Sequence, residues 1–167
     1  MDLSEDLERI ALQERELRLP NLDAQAAWEV GSRLRGLAAE RGLKLVVDVR
    51  RFGQPLFYTA LDGTTPDNAE WVRRKSNVVA RFHRSSYAVG LTLKLKETTL
   101  LNRYGLPVAD YAADGGSFPL IVENAGVVGS VTVSGLPQRD DHNLVVEALC
   151  AHLGRDFAAL RLEPENT

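Results

Sequence analysis

The chain of 167 residues contains very little cysteine and histidine, with one cysteine and three histidines. A single cysteine excludes an intramolecular disulfide framework and a cysteine-rich metal site. We predict that Cys150, which falls in an apolar helical pattern, is a small buried hydrophobic residue. His83, His142 and His152 are neither adjacent nor four residues apart, so their spacing does not prearrange a metal site.

Long hydrophobic runs are also absent. The longest apolar stretches, such as residues 126–133, are broken by glycine or polar residues and fall far short of the roughly 20 residues that span a bilayer. The first nine residues carry Asp2, Glu5, Asp6 and Glu8 and no apolar segment, unlike a secretory or organellar signal. We therefore expect a cytoplasmic protein with no membrane partner.

The chain is mildly acidic apart from one basic segment. The formal net charge is −3, which argues against nucleic acid as a partner because phosphate binding needs a clustered positive surface. The exception is residues 73–84, which hold five Lys or Arg residues and His83.

The composition is otherwise that of an ordinary globular chain, with 44% hydrophobic and 26% charged residues. A chain of this size buries about 70% of its unfolded surface. Because the sequence contains no internal repeat and no long polar linker, we predict one domain over residues 1–167, with residues 1–20 as an additional N-terminal helix.

Apolar residues recur at helical spacing in several segments. Pro20 ends the first helix, and the second begins near Asn21 or Asp23 and ends at Gly42. In that second helix the pattern places Trp28 on the buried face. The third and last helices are predicted over residues 66–83 and from near Asp140 onward, with a helical turn at residues 100–104.

Two pairs of segments have the alternation of strands. Residues 43–49 and 55–61 flank a turn at Gly53, and residues 118–122 and 127–133 flank a turn at 124–126, so we predict two hairpins. Residues 86–96 fit a helix and a strand equally well. The order of elements favours an α+β fold, with an antiparallel sheet of about five strands flanked by helices.

The third predicted helix carries the clearest candidate site. Arg73, Asn77, Arg81 and Arg84 are spaced by four, four and three residues and form one polar stripe. Guanidinium groups bind carboxylate or phosphate in bidentate fashion, so this stripe is suited to a small organic acid, a haem propionate or an acidic partner. The alternative is a solvated helix face paired with glutamates of another subunit.

Lys75 lies on the apolar stripe of the same helix, between Trp71 and Val79. Either it extends its ammonium group to the surface, or it reaches into a pocket between subunits. Ser117 and Phe118 follow two adjacent glycines and are predicted to line a pocket near the basic helix. The glycines themselves fit turns and hairpins rather than a nucleotide-binding loop.

The histidines have different predicted roles. His83 ends the basic helix and is the better candidate for a haem-iron ligand, whereas His142, beside Asp140 and Asp141, is expected to hold the loop between the last strand and the last helix. Ser85 and Ser86 lie too close to His83 in sequence to form a nucleophile and its base, so hydrolase chemistry is not predicted.

The last third of the chain, GGSFPLIVENAGVVGSVTVSGLPQRDDHNLVVEAL, resembles the glycine-rich hairpin and acidic helix start of the haem-degrading-domain superfamily, which includes GlcG and PduO C-terminal relatives. The segment WVRRKSNVVARFHRSSYAVG is similar to a subgroup of mostly uncharacterised bacterial and fungal proteins in that superfamily. The resemblance spans most of residues 22–160. It implies a profilin-like or GlcG-like sheet flanked by helices, assembled into dimers or larger rings, with haem bound or degraded in some members.

The residues and the resemblance together predict a homo-oligomeric binding or assembly protein that holds a small anionic ligand at its basic helix. One alternative is a haem-binding or haem-degrading protein, with haem as its cofactor and His83 near the iron. A second alternative is an enzyme acting on a small organic acid. The candidate ligand-binding residues are Arg73, Lys75, Asn77, Arg81, His83, Ser117 and Phe118.

Overall fold

The computed structural model describes residues 2–165, which form a five-stranded sheet and seven helices. In chain order the elements are α1 (Leu3–Glu16), β1 (Arg18–Leu19), α2 (Ala24–Glu40), β2 (Val46–Arg51), β3 (Gln54–Ala60), α3 (Pro66–Phe82), α4 (Ser86–Leu95), α5 (Leu100–Tyr104), β4 (Ser117–Val122), β5 (Gly126–Ser134), α6 (Gln138–Leu153) and α7 (Phe157–Leu160).

Short polar side chains start the helices. Asp23 accepts a hydrogen bond from the Ala26 N–H at the start of α2, and the Asn68 side chain accepts one from the Thr65 N–H at the start of α3. The side-chain oxygens of Asp23 and Asn68 thus accept hydrogen bonds from N–H groups that have no backbone acceptor at the start of a helix.

The strand order is β1-β4-β5-β2-β3. The pairs β4-β5, β5-β2 and β2-β3 are antiparallel and β1-β4 is parallel. The predicted α+β fold with about five strands is therefore confirmed, and the sheet is mostly antiparallel rather than wholly so.

The sheet is covered on both faces. Val47, Val49 and Val131 belong to the main hydrophobic core together with apolar residues of α2 and α6. Side chains alternate between the two faces of a strand, so Asp48 and Thr132 point to the opposite face, where α3 packs across β5 and β4. A polar layer therefore lies between α3 and the sheet.

Several boundaries differ from the prediction. The first helix ends at Glu16 rather than at Pro20, and residues 18–19 form the short parallel strand β1. The strand β2 begins at Val46 instead of residue 43, and α6 begins at Gln138, just before the predicted start.

The undecided segment 86–96 is helical, as α4. Its Leu91 packs with Ile10 of α1, whereas Val89 and Leu93 pack with Val78 of α3. Because two sides of α4 are buried, its apolar and polar residues alternate in the sequence much as they do in a strand.

The prediction that Trp28 is buried was wrong, because the side chain is 61% exposed. The core-facing side of α2 is formed by Ala27, Val30 and Leu34, and Trp28 lies at the margin with its ring edge-on to Phe57. Phe57 packs over Gly31, where a Cβ atom would overlap its ring. No helix between residues 2 and 165 is long and apolar enough to cross a membrane.

Candidate functional site

The first half of the basic helix holds a neighbouring loop. Arg73 contacts the Asp110 carboxylate at 3.0 Å and donates to the Ala109 carbonyl at 2.8 Å, and Arg74 donates to the Val108 carbonyl at 2.9 Å. Asn77 donates to the Asp110 carbonyl at 2.8 Å. Arg73 and Asn77, both predicted to bind a ligand, are therefore engaged within the chain.

The second half of the helix leaves its charge in solvent. Arg81 and His83 are exposed and Arg84 is half-buried. Within the described part of the chain, Arg81 makes no hydrogen bond or ion pair. His83 adopts a left-handed conformation, with φ 54°, and its N–H bonds to the Val79 carbonyl to end α3.

The imidazole of His83 stacks on the ring of Phe52, with ring centroids 5.7 Å apart and an interplanar angle of 19°. Phe52 lies in the turn between β2 and β3, directly after Arg50 and Arg51. The stacking therefore brings a second basic segment beside the end of α3. Arg51 donates to the Leu22 carbonyl at 2.7 Å, so we call only Phe52, Arg81, His83 and Arg84 the cationic surface.

Two acidic residues lie near this surface. Asp48 is fully buried and receives two hydrogen bonds from Arg50, at 2.7 and 2.9 Å, so the charge of Arg50 is neutralised. Glu14 of α1 accepts a hydrogen bond from the Ser85 N–H at 2.8 Å. Burial raises the pKa of Glu14, partly offset by Ser85 and by the charge of Arg84.

Lys75 does not extend its ammonium group to the surface, so that prediction was wrong; the group is bonded inside the chain. It is 4% exposed, and its Nζ lies 3.0 Å from Asp141 Oδ2 and 3.3 Å from the Val133 carbonyl. The polar layer between α3 and the sheet gives the ammonium group these partners, so it does not extend to solvent.

Asp141 is the residue that holds the loop between β5 and α6, because its Oδ1 accepts the Leu136 N–H at 3.0 Å. Burial raises the pKa of Asp141 to about 6, against the opposing influence of Lys75. Gly116, with φ 134°, lies beside this pair, and a Cβ there would collide with the Val133 carbonyl and Lys75 Nζ. Glycine is required at this position.

Ser117 and Phe118 are both fully buried. The Ser117 hydroxyl is 2.8 Å from that of Thr132 and its N–H donates to the Ser86 hydroxyl at 3.1 Å. Phe118 belongs to the main core. Neither residue has surface exposed to solvent, so in this conformation they do not line an open pocket beside α3.

The role predicted for His142 was wrong, because this residue contacts α1 rather than the loop that precedes α6. It is fully buried, and its Nε2 lies 2.8 Å from Gln13 Oε1. The Gln13 amide nitrogen donates to the Leu160 carbonyl, which leaves Oε1 as an acceptor and makes His142 Nε2 the donor. Burial and the nearby Arg139 lower the pKa of His142 to about 3.

Sequence reasoning missed a second buried charge cluster. Asp6 of α1 accepts two hydrogen bonds from Arg139 of α6, at 2.7 and 2.9 Å, and the Tyr87 hydroxyl lies 3.5 Å from the same guanidinium. The three residues are far apart in the sequence, and each has an ordinary place in its own helix. Asp6 and Arg139 lie at one side of a groove of about 1210 Å³ between α1 and the C-terminal segment.

The remaining candidates are separate from one another. Cys150 is buried, as predicted, and burial raises its pKa to about 11. His152 lies 3.8 Å from Glu29. In the described residues no group of three or more His, Cys, Asp or Glu side chains is arranged to hold a metal ion.

Proteins of similar sequence cover nearly the whole chain. A UPF0303 protein of Paraburkholderia phymatum is 60% identical over 162 residues, which is 97% of this chain and 98% of that protein. A UPF0303 protein of Burkholderia thailandensis is likewise 60% identical over 162 residues, with the same coverage of both chains.

Solved structures share the fold. The crystal structure of the Ybr137w protein has a TM-score of 0.81 and 27% identity, covering 89% of this chain and 88% of its own. A structure described as a complex of PduOC with haem has a TM-score of 0.67 and 12% identity, covering 78% of this chain and 94% of its own. The sequence of residues 22–150 matches the family model of haem degrading proteins similar to HbpS, and the chain belongs to this HbpS-like family.

Proposed function

We propose that this protein is a homo-oligomeric binding protein that holds a small anionic ligand at the cationic surface. The observation that carries the proposal is the stacking of His83 on Phe52, 5.7 Å between ring centroids. This contact places the basic end of α3 beside the turn that follows Arg51. Two basic segments from different parts of the fold thus meet at one place.

The arginines of this surface differ from those of the first half of α3 in what they contact. Arg73 and Arg74 are bonded to the loop at residues 108–110, whereas Arg81 has no partner among residues 2–165. A guanidinium without an internal acceptor is available for a bidentate contact with a carboxylate or phosphate. The ligand class is therefore a small organic acid or a phosphate compound.

Exposed apolar side chains support assembly into oligomers. Trp28, Tyr58, Leu101 and Val108 are 61%, 50%, 52% and 65% exposed. Single exposed apolar residues are common, but these large side chains lie on several elements around the molecule, where contact with further copies would cover them.

The test of ligand binding is the thermal unfolding midpoint in the presence of acetate, oxalate, citrate or inorganic phosphate. A bound anion at a hundred times its Kd stabilises the fold by about 2.7 kcal/mol. We expect at least one of these anions to raise the midpoint of the unaltered protein, and the double variant R81Q/R84Q to lose the increase.

R35Q is the matched control, because it removes one exposed arginine of α2 that lies outside the cationic surface. It should respond like the unaltered protein. An equal response of R81Q/R84Q and R35Q to every anion, or no response of the unaltered protein, would contradict the proposed site.

Haem is the second candidate ligand, and one observation favours it. His83 is exposed, its ring rests on an aromatic face, and arginines suited to propionate groups lie on either side of it in the sequence. If haem is bound here, His83 is the residue that would ligate the iron and Arg81 and Arg84 would contact the propionates. The haem itself would supply the iron and its redox chemistry.

The haem candidate is tested by titration with haemin. H83N is the informative variant, since asparagine tolerates the left-handed conformation of His83, and H152N is its control. We expect a shifted Soret band with the unaltered protein and H152N and no shift with H83N. A spectrum equal to that of free haemin in all three proteins excludes haem and leaves the anion proposal in place.

A further inference from the structure

The strand β3 forms an open edge of the sheet. The order β1-β4-β5-β2-β3 places β3 at one end: it pairs with β2 on one side, and no strand among residues 2–165 lies on the other. At the opposite end, β1 is two residues long, whereas β3 has seven. The long edge of the molecule is therefore β3.

The hydrogen bonds of β3 show which of its backbone groups point outward. The Leu61 N–H donates to the Leu45 carbonyl at 3.1 Å, just beyond the last residue of β3. Successive residues of an antiparallel strand point their N–H and C=O groups alternately to its two neighbours. Leu61, Thr59 and Phe57 therefore face β2, and Tyr58 and Ala60 present their backbone groups to the open side, up to the register shift at Leu56.

This edge has little protection along its second half. Edges are usually kept from pairing by lysine or other charges, by proline, by β-bulges or by a covering element. The strand Gln54–Ala60 has no charged residue, a single proline at its second position and a β-bulge at Leu56. Tyr58 is half-exposed and Ala60 is exposed. An extended strand could approach the edge along residues 57–60.

We propose that β3 pairs in antiparallel fashion with β3 of a second copy of this chain, about a twofold axis at Tyr58. Pairing about this axis sets Tyr58 opposite the partner's Tyr58 and brings Ala60 beside the bulge at the partner's Leu56. The two sheets join into one continuous sheet across the dimer. The inference rests on the homo-oligomeric part of the proposed function and names the interface.

The charges that flank β3 favour a second copy in this orientation. Arg51, whose guanidinium donates to the Leu22 carbonyl at 2.7 Å, lies just before the turn that leads into β3, and Asp62 lies two residues after its end; both residues are exposed. Antiparallel pairing brings the acidic end of each strand beside the basic turn of the other, at both ends of the interface. Because β3 itself is uncharged, two copies meet without like charges in register.

Cross-linking through Tyr58 tests the axis directly. Directly opposed residues of a hydrogen-bonded antiparallel pair have Cα atoms about 5.5 Å apart, within the range that a disulfide spans. The native Cys150 is buried, so Y58C adds one accessible thiol. We expect Y58C to form a covalent dimer under mild oxidation, seen by non-reducing electrophoresis, and N102C, which places a thiol on exposed Asn102 of α5, to form far less.

A second pair of variants measures assembly without cross-linking. Y58K places two ammonium groups at the axis and should halve the molar mass measured by light scattering, whereas N102K adds the same charge to α5 and should leave the mass unchanged. Circular dichroism checks that Y58K is folded. If Y58K is unfolded, the cross-linking comparison decides.

The outcomes separate this interface from the proposed function. An oligomer in which Y58C forms no more cross-linked dimer than N102C overturns pairing through β3 and leaves the homo-oligomeric binding protein standing. A monomeric unaltered protein overturns both the interface and the oligomer. The effect of anions on the unfolding midpoints of R81Q/R84Q and R35Q is a separate measurement, and it tests the cationic surface whatever the result for the interface.

Discussion

At the scale of single residues, the most consequential side chains are charged groups buried in the polar layer between α3 and the sheet. Lys75 and Asp141 are 4% and 1% exposed and lie 3.0 Å apart. Removing two charges from water is costly, and their mutual attraction offsets that cost only when both are present and hydrogen-bonded. Asp141 also accepts the Leu136 N–H, so the pair joins α3 to the start of α6.

The first prediction concerns this pair. K75M leaves Asp141 buried without its cation, and we expect it to lower the free energy of unfolding by roughly 3–5 kcal/mol. The double variant K75M/D141N removes the stranded carboxylate charge while keeping an oxygen for the Leu136 N–H. Urea unfolding should show that the double variant loses less than the sum of K75M and D141N. If the losses in free energy of unfolding of K75M and D141N simply add in the double variant, the two residues do not stabilise each other.

At the scale of elements, α3 has two functional halves. Its first half anchors the loop at residues 106–113 through Arg73, Arg74 and Asn77, and its second half contributes to the cationic surface. One polar stripe in the sequence therefore has two separate roles. The division follows from where the loop passes, because the acceptors of Arg73 and Asn77 lie on residues 109 and 110.

The second prediction follows from that division. The double variant R73Q/N77A removes the contacts with Ala109 and Asp110, so amide hydrogens of residues 106–113 should exchange faster with solvent. The exposed ion pairs of Arg73 contribute little to global stability, so the unfolding midpoint should change little. R81Q serves as the control, and an equal change of exchange in this loop for both variants would contradict the anchoring role.

At the scale of the whole molecule, the two ends of the chain close over the start of α6. His142 of α6 donates to Gln13 of α1, and Gln13 donates to the Leu160 carbonyl at the end of α7. Arg139 likewise links α6 to Asp6 of α1 and to the Glu163 carbonyl. Of these partners, α1, α7 and Glu163 lie outside residues 22–150, the part of the chain that matches the family.

The third prediction concerns acid stability. Burial lowers the pKa of His142 to about 3, whereas an unfolded histidine titrates near pH 6.5. As the pH falls below about 6.5, the unfolded chain takes up a proton that the folded chain excludes, and stability falls by about 1.4 kcal/mol per pH unit until about pH 3.

The comparison variant is H142Q, which keeps an N–H donor for Gln13 and does not titrate. Between pH 7.5 and pH 5.0, the unaltered protein should lose about 2 kcal/mol more of its free energy of unfolding than H142Q, as measured by urea unfolding. Groups such as Asp141 titrate in both proteins, so the difference isolates His142. Equal losses would show that His142 is charged in the folded protein or changes little on unfolding.

The sequence by itself determined the order of most elements and the class of fold. Helical spacing, capping residues and turn glycines are local signals, and they predict α2, α3, both hairpins and the burial of Cys150. The glycine-rich hairpin and the segment at residues 71–90 also carried the resemblance to the family. These signals work because hydrophobic periodicity and turn chemistry depend on neighbours in the sequence.

Only the tertiary structure decided where the polar residues lie and which groups they contact. From the sequence alone, Lys75 is predicted to be an exposed cation or a pocket residue, because its partner Asp141 lies 66 positions later. His142 is predicted to hold a loop, because its partner Gln13 belongs to the distant helix α1. The sequence of residues 86–95 fits a helix or a strand, because the burial of this segment on two sides depends on α1 and α3. In each case the deciding partner is distant in sequence, and the burial of a polar group depends on whether such a partner is within hydrogen-bonding distance.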